Sequence, residues 1–349
     1  MAMRNPIVHL VMNQNQTIGD CHLGRVFKTN VSLDRRGEYE KTQMAAFREL
    51  LFTPRPEEVP PTRFIRTQVG DLFDKAVVSN QVLLETLKVL QEYEKKCAEP
   101  LYIISGNHDD SKSTTEPTSW DILAEFFCKS SRVQFVKEWQ VHKFPDGRDV
   151  LFVGWNIHQS VAQAFLEAEE AGYKPDMVIC HLDRISYGNE DNVIPYDFLR
   201  AKEIISVVSG HEHKPYQFWE GEMQVIGTGS LLPYSHAEDP DGDYYVTFRS
   251  FQDIKDLNYH QIAELNDKHV RVYIEPEHMD DFLALEMNCL SLQVNKAETL
   301  NVDEAVTEVV TESYNAKEIW ERSVTETTLP KDEGQLLWSE IEMKGIENE

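Results

Sequence analysis

The stretch Ile104-Ser105-Gly106-Asn107-His108-Asp109 decides the fold of this chain. It begins on the last residue of an apolar run, residues 101–104, which predicts a buried parallel strand. Gly106 lets the backbone turn sharply, and an amide oxygen, an imidazole and a carboxylate follow at once. Because an α/β sheet places its active site at the carboxyl ends of its strands, the stretch predicts a functional site there.

Two motifs nearer the N-terminus carry side chains of the same kind. Asp20 and His22 are two residues apart, so both point to the same side of an extended backbone. A carboxylate and an imidazole are a common ligand pair for a divalent metal, although this spacing alone is a weak signal. Asp71 follows Gly70 at another predicted strand end, and its two carboxylate oxygens allow it to bridge two metals.

Two further motifs follow later in the chain. The apolar residues 177–180 predict a buried strand that ends at His181, and residues 204–209 predict another that ends in Gly210-His211-Glu212-His213. A lone histidine is ordinarily structural, but the position of His181 between the other motifs favours a metal ligand. Outside these motifs, His236 is a weaker candidate for contact with a substrate.

Length and composition indicate a folded protein with two domains. The chain has 349 residues, of which 41% are hydrophobic and 10% aromatic, enough for a substantial core. No apolar run approaches the roughly 18 residues of a membrane span, and we expect no signal peptide. Five cysteines without paired spacing indicate free thiols in a reducing compartment, so we expect a cytoplasmic protein.

The charge of the chain is strongly negative and unevenly distributed. A net charge of −26 argues against a protein that holds DNA by a broad basic surface. Residues 251–349 include 23 acidic and 8 basic residues, a net charge of −15. The segment 25–75 is the richest in basic residues, which include Arg25, Lys28, Arg35, Arg36, Lys41, Arg63 and Arg66. A DNA-facing edge and a solvated surface of mixed charge explain that segment equally well.

The predicted elements alternate between strands and helices, which indicates an α/β protein built from βαβ units. An amphipathic helix over residues 80–95 connects two of the motif-bearing strands. After about residue 249, alternating residues over 269–275 and 290–294 flank a helix and predict a small α+β cap domain. We therefore divide the chain into a main domain over 1–250, a cap domain over 251–300 and an acidic C-terminal helical segment over 301–349.

Taken together, the motifs resemble the calcineurin-like metallophosphoesterase family over the span from Asp20 to His213. This resemblance implies a two-sheet α/β sandwich. The runs Gly70-Asp71-Leu72-Phe73-Asp74 and Gly106-Asn107-His108-Asp109 are similar to the SbcD/Mre-type DNA nuclease subunits of that family. Residues 226–230 and 237–240, with the short cap and the acidic tail, are similar to phage-encoded SbcD-like subunits.

The resemblance implies a site for two divalent metal ions, with Mn²⁺ favoured and Mg²⁺ or Fe²⁺ as alternatives. The implied ligands of the first metal are Asp20, His22, Asp71 and His213. Those of the second metal are Asp71, Asn107, His181 and His211. His108 is implied to protonate the leaving oxygen or to stabilise the transition state, with Asp109 orienting His108. Some relatives have a second functional histidine at the position of Asp74, which leaves that role open here.

The function implied by the resemblance is that of a Mn²⁺-dependent DNA exonuclease or endonuclease subunit. It implies work with an SbcC-like coiled-coil ATPase in recombination, repair or DNA degradation, as a homodimer without a membrane partner. A phage protein would act in the host cytoplasm. The C-terminal segment, with Leu337, Trp338 and Ile341, either docks on the ATPase or folds back on the chain. The alternatives are a phosphodiesterase for nucleotides or cyclic nucleotides, and a non-catalytic scaffold subunit.

Overall fold

The computed structural model describes residues 17–57, 59–111, 116–155, 159–185, 192–239, 241–285 and 287–297. All of these residues lie in one compact unit that ends at Ala297. The predicted helical segment over 301–349, which includes Trp338, lies outside the described residues. The three-part division of the chain stays a prediction.

The first sheet has four parallel strands in chain order, with helices on one face. The strands are β1 (Thr17–Ile18), β2 (Arg66–Gln68), β3 (Leu101–Ile104) and β4 (Val133–Val136). The helices are α1 (Glu38–Leu51), α2 (Asn80–Lys96) and α3 (Ser119–Phe126). α2 begins where the Ser79 hydroxyl accepts from the N–H of Val82, and its apolar face shares a core with Ile103 of β3.

The second sheet has six strands, of which the four central ones are parallel and the two edge strands antiparallel to their neighbours. Its spatial order is β5 (Trp139–Lys143), β6 (Asp149–Val153), β7 (Pro175–Cys180), β8 (Ser206–Ser209), β10 (Met223–Gly227) and β9 (Tyr216–Glu220). The helices α4 (Val161–Glu170) and α5 (Tyr196–Ala201) contribute to a core with this sheet.

The two sheets pack face to face through a shared apolar core. Ile104 and Val136 of the first sheet belong to this core, together with Phe152 and Ile179 of the second. The Tyr102 ring stacks on Phe152 with 4.2 Å between ring centroids. Because the helices form further cores on the outer faces, the architecture is the predicted two-sheet α/β sandwich, and the predicted fold class is confirmed.

A third, smaller sheet follows, with three parallel strands: β11 (Tyr245–Phe248), β12 (His269–Ile274) and β13 (Ser291–Lys296). The short helices of this region are α6 (Gln252–Lys255), α7 (Tyr259–Ala263) and α8 (Met279–Leu283). β11 pairs with β12, with Tyr245 opposite His269, so the small sheet begins before residue 250. Local periodicity identifies a strand here, but not the sheet that it joins.

The cysteines are free thiols, and the two that flank predicted ligands, Cys21 and Cys180, are buried. Burial raises the pKa of the Cys180 thiol to about 12, which keeps it neutral and suits it to packing. Across the described residues, no helix is both long and apolar enough to cross a membrane.

Candidate metal centre

The structure brings all seven predicted metal ligands together in space. They follow β1, β2 and β3 of the first sheet and β7 and β8 of the second. In chain order they are Asp20, His22, Asp71, Asn107, His181, His211 and His213. Parallel strands present their carboxyl ends at one edge of a sheet, which is why polar residues placed directly after apolar strands converge.

One group of side chains centres on the ring nitrogens of His22 and His213. His22 Nε2 lies 2.9 Å from His213 Nε2 and 3.8 Å from Asp71 Oδ2. Asp20 Oδ2 lies 3.9 Å from His213 Nε2. The side chains of Asp20, His22 and His213 could hold a metal ion between them. With Asp71, they are the set that the family resemblance implies for the first metal.

A second group lies on the other side of Asp71. His211 Nδ1 lies 2.9 Å from Asn107 Oδ1 and 3.3 Å from His181 Nε2. His181 Nε2 lies 3.1 Å from Asn107 Oδ1 and 3.4 Å from Asp71 Oδ1. Asp71, His181 and His211 could also hold a metal ion, and Asn107 completes the predicted second set.

Asp71 joins the two groups because its carboxylate oxygens face different neighbours. Oδ1 is the atom near His181, and Oδ2 is the atom near His22. Burial alone would raise the pKa of Asp71, but His181 and His22 hold that pKa well below its usual range, so the carboxylate is charged. One carboxylate would therefore be able to contribute an oxygen to each of the two groups.

The donor set fits a cation. His181 Nδ1 donates to the Val69 carbonyl at 2.8 Å, so a neutral ring turns its Nε2 lone pair toward Asn107 Oδ1 and Asp71 Oδ1. Lone pairs that face one another repel unless a proton or a metal ion lies between them. In the metal-free chain a proton takes this position. Burial lowers the pKa of His181, but the Asp71 and Asp20 carboxylates outweigh it and raise that pKa to about 10.

Metal binding is expected to release protons, and metal affinity is expected to rise as the pH rises through 7 toward 10. Burial raises the pKa of Asp20 to about 7, and the pKa of His181 is about 10, so both groups must lose protons to become ligands. Calorimetric titration of Mn²⁺ into metal-free protein, in two buffers of different ionisation enthalpy, measures this release. Equal binding enthalpies in the two buffers would contradict the prediction.

Unusual backbone conformations cluster on the ligand loops. Three non-glycine residues here are left-handed: His22 has φ 44°, Asp71 has φ 50° and His211 has φ 76°. Gly70 has φ 99°, and a Cβ at this position would lie 2.2 Å from His181 Nδ1. Each such non-glycine conformation costs on the order of 1–3 kcal/mol, and clustering of this kind is typical of functional sites.

His108 lies beside the first group. Its backbone N–H donates to Asp71 Oδ1 at 2.8 Å, and its ring centroid lies 4.8 Å from that of His22. Its Nδ1 lies 2.6 Å from the Asp74 carbonyl oxygen, and because a carbonyl only accepts, Nδ1 carries the hydrogen. The side chains of His22, Asp74 and His108 form a third set whose ligand atoms lie within 4.8 Å of one another.

Asp109 holds the loop that carries His108. Its buried carboxylate accepts hydrogen bonds from the backbone N–H groups of Leu72, Phe73 and Gly106 at 3.1, 2.9 and 2.9 Å. The ring of His108 is instead oriented by the Asp74 carbonyl. Asp109 therefore ties the second and third motifs together through the backbone, and any orienting effect on His108 passes through this loop.

Sequence reasoning missed two carboxylates that contact the outer nitrogens of predicted ligands. Glu238 Oε2 lies 3.4 Å from His213 Nδ1, and Asp183 Oδ1 lies 3.2 Å from His211 Nε2. Such partners fix the tautomer of a metal-ligating histidine and raise its basicity. The only sequence signal for Asp183 is its position two residues after His181.

Replacing Glu238 by glutamine is expected to lower Mn²⁺ affinity by about 10- to 100-fold, because it removes the charge behind His213. Glutamine keeps the shape of the side chain, which also accepts from the Tyr234 N–H at 2.8 Å. Calorimetric titration of the metal-free protein measures the change, and Glu222→Gln, at an exposed position, is the matched control. Equal affinities in the two variants would refute the role.

Comparison with known proteins identifies the family. The model of the calcineurin-like phosphoesterase family matches residues 17–215, more than half of the chain, and the chain belongs to this family. Members of the family depend on two metal ions, and the groups described above are able to bind them. The chain is accordingly a metal-dependent phosphoesterase by family. No curated protein matches it.

Solved structures give weaker likenesses. The protein TT1561 of Thermus thermophilus is 14% identical, with a TM-score of 0.39 over 54% of this chain and 84% of that one. The phosphopantetheinyl hydrolase of Mycobacterium tuberculosis is 14% identical, with a TM-score of 0.34 over 63% and 92%. A dimetal phosphatase from Danio rerio is 11% identical, with a TM-score of 0.38 over 62% and 86%.

Proposed function

We propose that this protein is a Mn²⁺-dependent DNA nuclease subunit that hydrolyses phosphodiesters with two metal ions. The observation that carries the hydrolytic part is Asp71, whose two oxygens face two separate ligand groups next to His108. The choice of DNA as substrate rests on the similarity of the Gly70–Asp74 and Gly106–Asp109 runs to SbcD/Mre-type nucleases.

In this proposal, each ligand group holds one cation. Asp20, His22, Asp71 and His213 hold the first, and Asp71, Asn107, His181 and His211 hold the second. When bound, the two ions supply Lewis acidity: they make water a better nucleophile and neutralise charge on the phosphoryl oxygens. Nitrogen and oxygen donors without thiolates suit Mn²⁺, and Mg²⁺ or Fe²⁺ are the alternatives.

The remaining residues of the site position the ligand side chains and protonate the leaving oxygen. His108 carries a proton to the leaving oxygen, and the Asp74 carbonyl fixes its ring through Nδ1–H. Asp109 is a positioning residue, since it acts through the backbone of the loop that bears Asn107 and His108. Glu238 and Asp183 hold the tautomers of His213 and His211.

The proposed biological setting rests on the same similarity. The subunit works as a homodimer with an SbcC-like coiled-coil ATPase, in recombination, repair or DNA degradation. It is phage-encoded and acts in the host cytoplasm. In this setting, the segment 301–349 docks on the ATPase, and the partner supplies much of the DNA affinity that a chain of net charge −26 lacks.

The test is hydrolysis of linear duplex DNA with Mn²⁺, with bis-p-nitrophenyl phosphate as a small diester measured alongside. The proposal predicts cleavage of DNA by the native chain and loss of cleavage in His108→Ala and Asp71→Ala. Hydrolysis of the small diester alone, with the ATPase partner present as well as absent, would overturn the nuclease assignment while leaving the phosphoesterase assignment intact.

A small-substrate phosphodiesterase is the second candidate, and the charge favours it. A net charge of −26 repels a long polyanion far more than a nucleotide or cyclic nucleotide. A scaffold subunit without activity is the third candidate. It predicts no bound Mn²⁺ after purification and no high-affinity uptake.

A further inference from the structure

A cleft of about 270 Å³ lies beside the candidate metal centre, between residues 25–30 and the third sheet. The Tyr234 ring belongs to both places. It lines the cleft, and its centroid lies 5.1 Å from that of His22 and 5.5 Å from that of His213. The cleft therefore begins one aromatic ring away from two of the proposed ligands.

The lining of this cleft is positive in a very acidic protein. Three cations line it, Arg25, Lys28 and Arg271, and none of its described lining residues is acidic. Arg25 lies over the Tyr234 ring at 4.6 Å, and Arg271 donates to the Gln293 side chain at 3.0 Å. Because Arg25 and Arg271 contact neutral groups here, their positive charge can attract an anion to the cleft, although Glu238 and Asp239 lie near its other end.

Neutral polar groups and aromatic faces complete the lining. His269 is 5% exposed, and its Nε2 has no hydrogen-bond partner among the described residues, whereas its Nδ1 lies 2.7 Å from Ser291 Oγ. A buried ring nitrogen without a partner costs free energy, and this one belongs to a residue that lines the cleft. The half-buried Phe27 ring adds an aromatic surface of the kind on which nucleobases stack, whereas the Tyr245 ring is 7% exposed and already stacks on His269.

We propose that this cleft binds the backbone phosphates of a nucleic acid strand next to the scissile phosphodiester, an inference that rests on the proposed nuclease function. Lysine and arginine side chains neutralise phosphates without reading the base sequence. A small diester at the metal centre has no neighbouring phosphate to place in the cleft. The cleft therefore selects polynucleotides over small diesters at the same metal centre.

The test compares two double variants with equal loss of charge. Lys28→Gln/Arg271→Gln removes two cations of the cleft, and Arg249→Gln/Lys255→Gln removes two exposed cations outside its lining. Both are assayed with a fluorescent single-stranded oligonucleotide, by anisotropy at several salt concentrations and by cleavage with Mn²⁺. Bis-p-nitrophenyl phosphate hydrolysis is measured alongside.

The cleft variant is expected to bind the oligonucleotide more weakly, with a salt slope reduced by about one for each phosphate that it no longer neutralises. Its hydrolysis of the small diester is expected to match that of the control variant. Replacing Arg271 by lysine instead of glutamine keeps the positive charge, and is expected to restore most of the native salt slope of oligonucleotide binding. If the native chain cuts DNA and both double variants bind it equally, the cleft assignment is wrong but the nuclease function stands. If the native chain neither binds nor cuts any oligonucleotide, with the ATPase partner present as well as absent, the nuclease function and the cleft fail together.

Discussion

Replacing Asp71 by asparagine is expected to lower phosphodiester hydrolysis by about 10³-fold or more. Metal ions contribute several kcal/mol of transition-state stabilisation, and each 1.36 kcal/mol corresponds to about tenfold in rate. Asparagine keeps an oxygen that can accept the His108 N–H, but it offers a neutral amide where a charged carboxylate faces His181 and His22. The variant is therefore expected to keep the conformation of the loop that bears His108 and to lose the charged carboxylate shared by the two ligand groups.

Metal stoichiometry distinguishes this loss from misfolding. The native chain is expected to take up two Mn²⁺ ions with high affinity, and Asp71→Asn one or none, as measured by calorimetry and elemental analysis. Asp34→Asn, at an exposed position, is the control for the same change of charge. Two tightly bound ions together with native hydrolysis in Asp71→Asn would rule out a bridging role.

The convergence of the predicted ligands in space was predictable because it depends on a strong regularity. Asp71, Asn107 and His181 each follow an apolar strand within a few residues, and parallel strands end at a common edge. The positions of these residues directly after strands therefore indicate that they lie close together in space. Their grouping into two sets came from family resemblance, since spacing alone does not say which ring nitrogen faces which carboxylate.

The carboxylates that contact the outer nitrogens of the predicted histidine ligands were not predictable in the same way. Glu238 reaches His213 from a loop after β10, 25 residues further along the chain, and no periodicity links the two. Asp109 is a similar case: its place in the third motif indicates chemistry, but its partners are backbone amides, which no side-chain pattern reveals. The small sheet is a further example, because the sequence of β11 predicts a strand but does not indicate that β12 is its partner.

Replacing His108 by alanine is expected to lower DNA cleavage by about 10²- to 10⁴-fold, the usual contribution of a general acid. The effect on bis-p-nitrophenyl phosphate is expected to be much smaller, since p-nitrophenolate leaves as a stable anion without a proton. A structural defect would lower both activities equally. His260→Ala, in an exposed helix away from the site, is the matched control.

The same variant decides between the two roles that the geometry of His108 permits. As a proton donor, His108 can be removed without changing metal content, because its backbone N–H still bonds to Asp71. As a ligand in the set with His22 and Asp74, its loss would lower Mn²⁺ affinity as well. Unchanged stoichiometry and affinity, with a selective loss of DNA cleavage, assign the acid role. A joint loss of metal and of both activities would make His108 a ligand instead.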